Sequence, residues 1–255
     1  MIQQPQSDLA DRVAIVTGGA RGIGAAVARK LLADGAAVAV TGLASDRELA
    51  EAMRASLRPE PAARLSFHQG DVGEFADCER VVSEVVAQHG HVDILVNNAG
   101  ITKDKTIRKL SVDDWQAVLR VNLSGPFYMT KAVFAQMLDR GFGRIVNMSS
   151  VVGLAGNFGQ ANYASSKAGL LGLTKTTALE GAAKNVTANA VAPGFVATNM
   201  VAAMPASALE IAVSRTPVGR LAQPDEVAHL VRFLVDERSG FITGAVVSIN
   251  GGWYM

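Results

Sequence analysis

Cysteine is nearly absent. Cys78 is the only one in 255 residues, which excludes an intrachain disulfide and any site built from several thiolates of one chain. Its simplest role is to pack a helix, and no metal is called for. Net charge is lacking too: a formal +1 argues against a dominant electrostatic partner such as nucleic acid or an anionic membrane. The opening MIQQPQSDLADR has no apolar stretch behind a basic start, and no later run is long and uncharged enough to span a bilayer. The cytoplasm is the expected location. Internal repeats, low-complexity segments and linkers are missing, so a chain with 49% hydrophobic residues reads as one domain over residues 1–255 with a large core.

What is present is alternation. Short apolar runs predict strands at Arg12 to Thr17, Ala37 to Thr41, Arg64 to His68, Val92 to Val96, Arg144 to Met148, Val186 to Val191 and Ala245 to Ile249. Helical spacing fills the gaps: Gly24 to a stop at Gly35, about Asp46 to Leu57, Glu74 to His89, Val112 to Leu138 and Ala161 to Lys184. A last helix runs from Pro224, in Gln223-Pro224-Asp225-Glu226, to near Asp236. Strands separated by helices imply parallel pairing with right-handed crossovers. Residues 199–217 are apolar but broken by Pro205, which suits a lid over a substrate site. The tail Trp253-Tyr254-Met255 puts aromatics where a monomer would expose them.

The first strand ends in Thr17-Gly18-Gly19-Ala20-Arg21-Gly22-Ile23-Gly24. Glycine lets the backbone approach a phosphate closely, and the helix that comes next offers free N–H groups and the positive end of its dipole. The spacing Gly18, Gly22, Gly24 departs from the common dinucleotide fingerprint, and a glycine-rich turn with no ligand is the plain alternative. No acidic residue stands at Gly42 to Ser45, where such a residue would grip the ribose hydroxyls and repel a 2′-phosphate. Arg21 offers that phosphate a guanidinium instead, with Thr41 and Ser45 as hydroxyl partners, so NADP is expected over NAD. Against this, Arg21 is equally a solvated turn residue, and Asp46 and Glu48 are close in sequence. Asp71, after the third strand, is placed to meet an adenine amino group or simply to cap a helix. Asn97-Asn98-Ala99-Gly100 are small and amide residues that let the chain run beside a cofactor. Asn122 interrupts the long helix pattern, where it is either exposed or the holder of a local break and a water. Thr198, after Pro193, is a candidate grip on a nicotinamide.

Arg144 to Gly172 carries the chemistry. A strand delivers Ser150, and a helix then presents Tyr163 and Lys167 one turn apart on one face. A free phenol is a poor base at neutral pH, and a neighbouring fixed positive charge favours phenolate. Tyr163 could then exchange a proton with an alcohol or carbonyl oxygen that Ser150 holds by a hydrogen bond. Taken alone, the pair could equally be a packed ring and a solvated amine.

In order, Thr17-Gly18-x-x-x-Gly22-Ile23-Gly24, Asn97-Asn98-Ala99-Gly100, Asn122, Ser150, Tyr163-x-x-x-Lys167 and Pro193-Gly194 resemble the short-chain dehydrogenase/reductase family over essentially the whole chain. The resemblance implies an α/β, Rossmann-like, doubly wound sheet of seven parallel strands flanked by helices, and hydride transfer between a nicotinamide and a carbonyl or alcohol. It implies that Tyr163 is the acid in reduction, Ser150 polarises the carbonyl, Lys167 binds the nicotinamide ribose and lowers the tyrosine pKa, and Asn122 holds a water in a proton relay. Its cofactor-binding positions are Gly18, Arg21, Gly22, Ile23, Gly24, Thr41, Asp71, Val72, Asn98, Ala99, Gly100, Tyr163, Lys167, Pro193, Gly194, Val196 and Thr198. DILVNNAGIT, SSVVGLAGNFGQANYASSKAGL, VAPGFVATNM and ITGAVVSINGGWYM are similar to the β-ketoacyl-carrier-protein and acetoacetyl-CoA reductases. That likeness implies NADPH, a 3-oxoacyl thioester substrate reduced to the (R)-3-hydroxyacyl thioester, acyl carrier protein or coenzyme A as its carrier, and a homotetramer. Gln160, Val152, Leu154, Phe158 and Phe195 are candidates for the acyl pocket or for plain packing. Arg140, Arg144 and Lys184 are candidate contacts for a carrier protein. A dehydrogenase of another small alcohol, sugar or steroid, and a scaffold without chemistry, are the competing readings; intact Ser150, Tyr163, Lys167 and Asn122 argue against the scaffold.

Overall fold

The computed structural model describes residues 9–202 and 206–255; the side chains of residues 199, 200 and 206–208 are left aside. Seven strands, β1 (Val13–Thr17), β2 (Ala37–Gly42), β3 (Leu65–Gln69), β4 (Ile94–Asn97), β5 (Gly143–Met148), β6 (Val186–Pro193) and β7 (Val246–Ile249), form one sheet. Its order is β3-β2-β1-β4-β5-β6-β7, parallel throughout. The helices are α1 (Gly22–Ala33), α2 (Arg47–Ala55), α3 (Pro59–Ala63), α4 (Phe75–His89), α5 (Val112–Leu119), α6 (Gly125–Arg140), α7 (Val151–Ala155), α8 (Ala161–Gly181), α9 (Asn199–Ala202), α10 (Ala206–Ser214) and α11 (Pro224–Val235).

Strands covered on both faces are rich in apolar residues, and β1, β4 and β5 are buried along their whole length. One face of the sheet buries α1 and α11 in a core that includes Leu31, Leu32, Val227 and Val231. The other buries α4 and α6 through Val82, Val85, Met129 and Val133. A polar thread crosses this second layer. Asn97 Nδ2 donates to Asn147 Oδ1 at 2.8 Å, and Asn147 Nδ2 donates to Thr174 Oγ1 at 2.9 Å, so the amide N–H groups find partners across to α8 while Asn97 Oδ1 is left buried without one.

The strand order places the site. β1 leads outward to β2 and β3, and the chain then returns to add β4 on the other side of β1. Their carboxyl ends therefore part, leaving a crevice where open α/β sheets take their ligands. The turn 18–21 and the segment 98–100 flank that crevice.

Two expected boundaries move for physical reasons. The helix expected unbroken from Val112 to Leu138 is split by a π-helical turn, Arg120–Ser124, between α5 and α6. β6, expected to stop short of Pro193, includes it. Pro193 stays in register opposite Ile249, where its missing N–H costs nothing at the strand's last residue. Part of the expected lid, residues 203–205 with Pro205, lies outside the described residues; around it stand α9 and α10. Among the described residues, no helix is long and apolar enough to cross a membrane.

Candidate active site

The crevice is built by loops that hold each other. Thr17 Oγ1 accepts from the N–H groups of Asn98 and Ala99 at 2.9 and 3.0 Å, while Asn98 Nδ2 donates to the carbonyls of Thr17 and Gly18 at 2.9 and 3.2 Å. That clamp presses the turn after β1 against the exit of β4. Gly18 takes φ +61°, and a side chain at Gly24 would put its Cβ 2.3 Å from the Gly18 carbonyl oxygen, so only glycine fits either position. Arg21, extended at the start of α1, makes no side-chain cap, and the first N–H groups of α1 are left for a ligand or water. Thr198 faces Gly22, with Cγ2 3.5 Å from where a Cβ would stand. This glycine cradle with an uncapped helix start fits a dinucleotide pyrophosphate. Val196, 3% exposed, lines the cavity described below, and Val72 packs its side chain where Gly125 leaves room.

The adenosine side departs from expectation at Thr41, and Asp71 and Arg21 both have partners of their own. Thr41, expected to offer its hydroxyl to a 2′-phosphate, is buried at 2% with Oγ1 sealed away and unpartnered, because it faces inward at the end of β2. Ser45 and Leu43 hold the surface there. Asp71, read as an adenine contact or a helix cap, turns its carboxylate to the Gly73 N–H at 2.8 Å and the Arg120 guanidinium at 3.0 Å. Arg21 is exposed as required, but Asp46 Oδ1 stands 3.7 Å from it. Asp46 also accepts from the Leu43 N–H at 3.0 Å, so an acid does sit at this corner.

At the carboxyl end of β5, Ser150 caps α7, accepting from the Val152 N–H at 3.1 Å. The Tyr163 phenol, from α8, lines the same cavity as Ser150. Lys167 lies one turn further, 4% exposed, its Nζ donating to the Met148 carbonyl at 2.6 Å and lying 5.6 Å from the Tyr163 ring centre. Gly100 leaves this space open: a Cβ there would stand 3.6 Å from Lys167 Nζ and 3.3 Å from Asn122 Oδ1. Asn122, within the π-helical turn and wholly buried, accepts from the Ile101 N–H at 2.8 Å and donates to the Ile101 carbonyl at 2.9 Å and to Ser166 Oγ. The expected break is there, but its side-chain amide grips the loop after β4, so a relay through Asn122 would have to use its main chain. Ser150 and Tyr163 open into a cavity of about 320 Å³, walled by Ile23, Val152, Gln160, Phe195 and Val201 among others.

Residues 12–208 match the family model described as short chain dehydrogenase. The chain belongs to the short-chain dehydrogenase family. This oxidoreductase is 47% identical to the acetoacetyl-CoA reductase of Shinella zoogloeoides and 48% identical to that of Rhizobium meliloti (strain 1021), each over 95% of this chain and 98% of the relative. To the 3-oxoacyl-acyl-carrier-protein reductase of Aquifex aeolicus (strain VF5) it is 41% identical, over 96% of this chain and 98% of the relative.

In this short-chain dehydrogenase several expected contacts are elsewhere. Arg144 is 1% exposed and donates to the carbonyls of Gly143 and Asn185. With Arg140 and Lys184 it lies at the amino edge of the sheet, away from the cavity, so none of the three can meet a carrier at the mouth. Leu154 and Phe158 do not line the cavity either; Phe158 is 89% exposed at a loop tip. The reading of single motifs missed Thr17, whose hydroxyl welds the two loops, and Asp104, which lines the cavity. Thr17 was legible as the residue opening the glycine turn; Asp104 sits in a polar run that gave no signal.

Electrostatics correct the expectation that Lys167 lowers the Tyr163 pKa. Burial raises the phenol's pKa, the Ser150 hydrogen bond opposes that, and the Asp104 charge adds to it. Tyr163 is thereby kept protonated at neutral pH. Burial alone pushes Lys167 down to about 8. The unfolded chain then holds this proton more tightly than the folded one, so folding carries a penalty of about 3 kcal/mol below pH 8 that fades as pH rises toward 10. Lys167→Met is expected to be more stable than the parent by about 2 kcal/mol at pH 7, with the gain shrinking above pH 8. Urea unfolding at pH 7 and pH 9.5 checks it, and an equal gain at both pH values would refute the charge penalty.

Proposed function

We propose that this chain reduces a 3-oxoacyl thioester to the (R)-3-hydroxyacyl thioester with NADPH. The observation that carries the reading is a Ser150–Tyr163 pair opening onto a cavity whose wall includes Val152, Phe195 and Val201, with the buried Lys167 behind it. Bound in the cradle, reduced nicotinamide supplies a hydride to the carbonyl carbon. Tyr163 gives its phenolic proton to the carbonyl oxygen, which leaves an alcohol. Ser150 donates a hydrogen bond to the same oxygen as charge develops on it. Lys167 would hold the nicotinamide ribose, and Gly18, Gly22, Ile23 and Gly24 the pyrophosphate. Asn98, Ala99, Gly100, Pro193, Gly194, Val196 and Thr198 would flank the nicotinamide side. Val152, Phe195 and Val201 suit a short acyl chain by shape and polarity.

Identities of 47% and 48% to acetoacetyl-CoA reductases, against 41% to a carrier-protein reductase, favour coenzyme A over acyl carrier protein as the carrier. The single-domain organisation, the lid at about residues 199–217 and the homotetramer belong to the same proposal. Val201 in the cavity wall supports the lid, and the exposed Phe241 and Met255 support assembly.

The test is the initial rate of nicotinamide oxidation with acetoacetyl-CoA, with NADPH and NADH in parallel. Rapid NADPH-dependent turnover is expected, and its absence in protein that binds NADPH would overturn the substrate class. Arg21→Ala is expected to weaken NADPH binding about 10–100-fold and NADH binding less than twofold, the loss of one charged phosphate contact. Fluorescence titration reads both affinities; equal losses would remove Arg21 from the phosphate site.

A further inference from the structure

The loop after β4 and the loop before α8 close one side of the cavity together. The Lys105 N–H donates to the Gly159 carbonyl at 2.8 Å, and Asn162 Nδ2 donates to the Lys103 carbonyl at 3.0 Å. At the rim, Asn157 Nδ2 donates to Gln160 Oε1 at 2.9 Å, and Gln160 Nε2 donates to Asp104 Oδ2 at 2.8 Å. Asp104 thus holds its carboxylate on the wall of the cavity that Ser150 and Tyr163 also line.

That carboxylate, exposed at the rim, has no ion-pair partner among the described residues. Lys103 and Lys105 flank Asp104 in sequence, yet both ammonium groups point to Asp114, at 2.9 and 2.8 Å. Among the described residues, no lysine, arginine or histidine lines the cavity, and Lys167 behind it is bonded to the Met148 carbonyl. Partial loss of water raises the Asp104 pKa, with the Gln160 hydrogen bond opposing, and its charge reaches Tyr163.

We propose that Asp104 determines specificity by charge, excluding free 3-oxo acids and admitting 3-oxoacyl groups whose carboxyl is esterified or thioesterified. A 3-oxo acid whose ketone oxygen meets Ser150 and Tyr163 must bring its carboxylate, two bonds from the reacting carbon, into the same cavity of about 320 Å³. There it meets the Asp104 carboxylate, and no cation lines the wall; such repulsion is a device for rejecting the wrong partner. A thioester carries no charge at that position. The inference deepens the thioester reading and rests on it for the natural substrate.

The experiment compares acetoacetate with ethyl acetoacetate, with acetoacetyl-CoA turnover measured on the same preparations. The parent protein is expected to prefer the ester at least 100-fold in kcat/KM. Asp104→Asn keeps an acceptor for Gln160 and should narrow that preference at least tenfold, through a lower KM for acetoacetate. Asp104→Glu should retain the preference. Raising salt should narrow it in the parent and not in Asp104→Asn, a response that a merely structural role would not give. Equal use of acid and ester by the parent, or a ratio unchanged in Asp104→Asn, overturns the proposal. Failure on acetoacetyl-CoA with the acid–ester ratio behaving as expected would sink the thioester reading alone.

Discussion

Tyr163→Phe is expected to cut turnover by about a thousandfold while leaving coenzyme affinity within twofold, the scale that a positioned general acid contributes. The ring stays, so packing on α8 is kept, and only the hydroxyl beside Ser150 is lost. A phenol raised by burial and by Asp104 remains protonated through the neutral range, so the loss should be as large at pH 6 as at pH 8. The matching measurements are kcat with a saturating ketone and coenzyme affinity by fluorescence. Activity within tenfold of the parent would show that the proton comes from elsewhere.

Asp93→Ala is expected to lower stability by about 3–4 kcal/mol, a fall in melting temperature of roughly 6–15 °C for a chain of this size. Asp93 is fully buried where β1 and β4 begin. Its carboxylate accepts from the Val13 N–H at 3.0 Å, lies 2.9 Å from His91 Nε2 and 3.5 Å from Arg12, with Arg140 at 3.9 Å. Removing it leaves a buried N–H unpaired and the cations facing one another without an anion, the costly way to break such a cluster. Asp93→Asn restores the acceptor but not the charge and should cost about half as much. Because this cluster lies at the edge of the sheet opposite the cavity, both variants should keep kcat at 15 °C. Denaturant unfolding decides it, and a loss below 1 kcal/mol would mean that the charges were balanced by solvent.

Together these variants separate the two edges of one sheet. The carboxyl edge carries Ser150, Tyr163 and the glycine cradle. The amino edge carries Asp93, Arg12 and Arg144, where Arg144 stacks on Phe142 with its guanidinium 4.4 Å from the ring centre. Sequence proximity hid this division, since Arg144 is only six residues from Ser150. A six-residue strand, Gly143–Met148, carries the chain from one edge to the other.

Several features were legible from residue order alone. Alternating apolar runs dictated parallel strands joined by helices, because strands buried on both faces admit little else. The glycines at 18 and 24 marked a turn where a side chain has no room, and the one-turn spacing of Tyr163 and Lys167 put them on one face of one helix. What only the tertiary structure decided concerns groups brought together by distant segments. The π-helical turn at Asn122 depends on its bonds to Ile101. The burial that raises Tyr163 and lowers Lys167 depends on how α8 lies against β5 and the loop after β4. Thr41 reads as an available hydroxyl until the pleat turns it inward, and Asp104 reads as one charge in a polar run until Asp114 draws away both neighbouring lysines. Spacing along the chain fixes which side chains share a face. Desolvation and charge depend on every segment that packs nearby, and no local pattern encodes them.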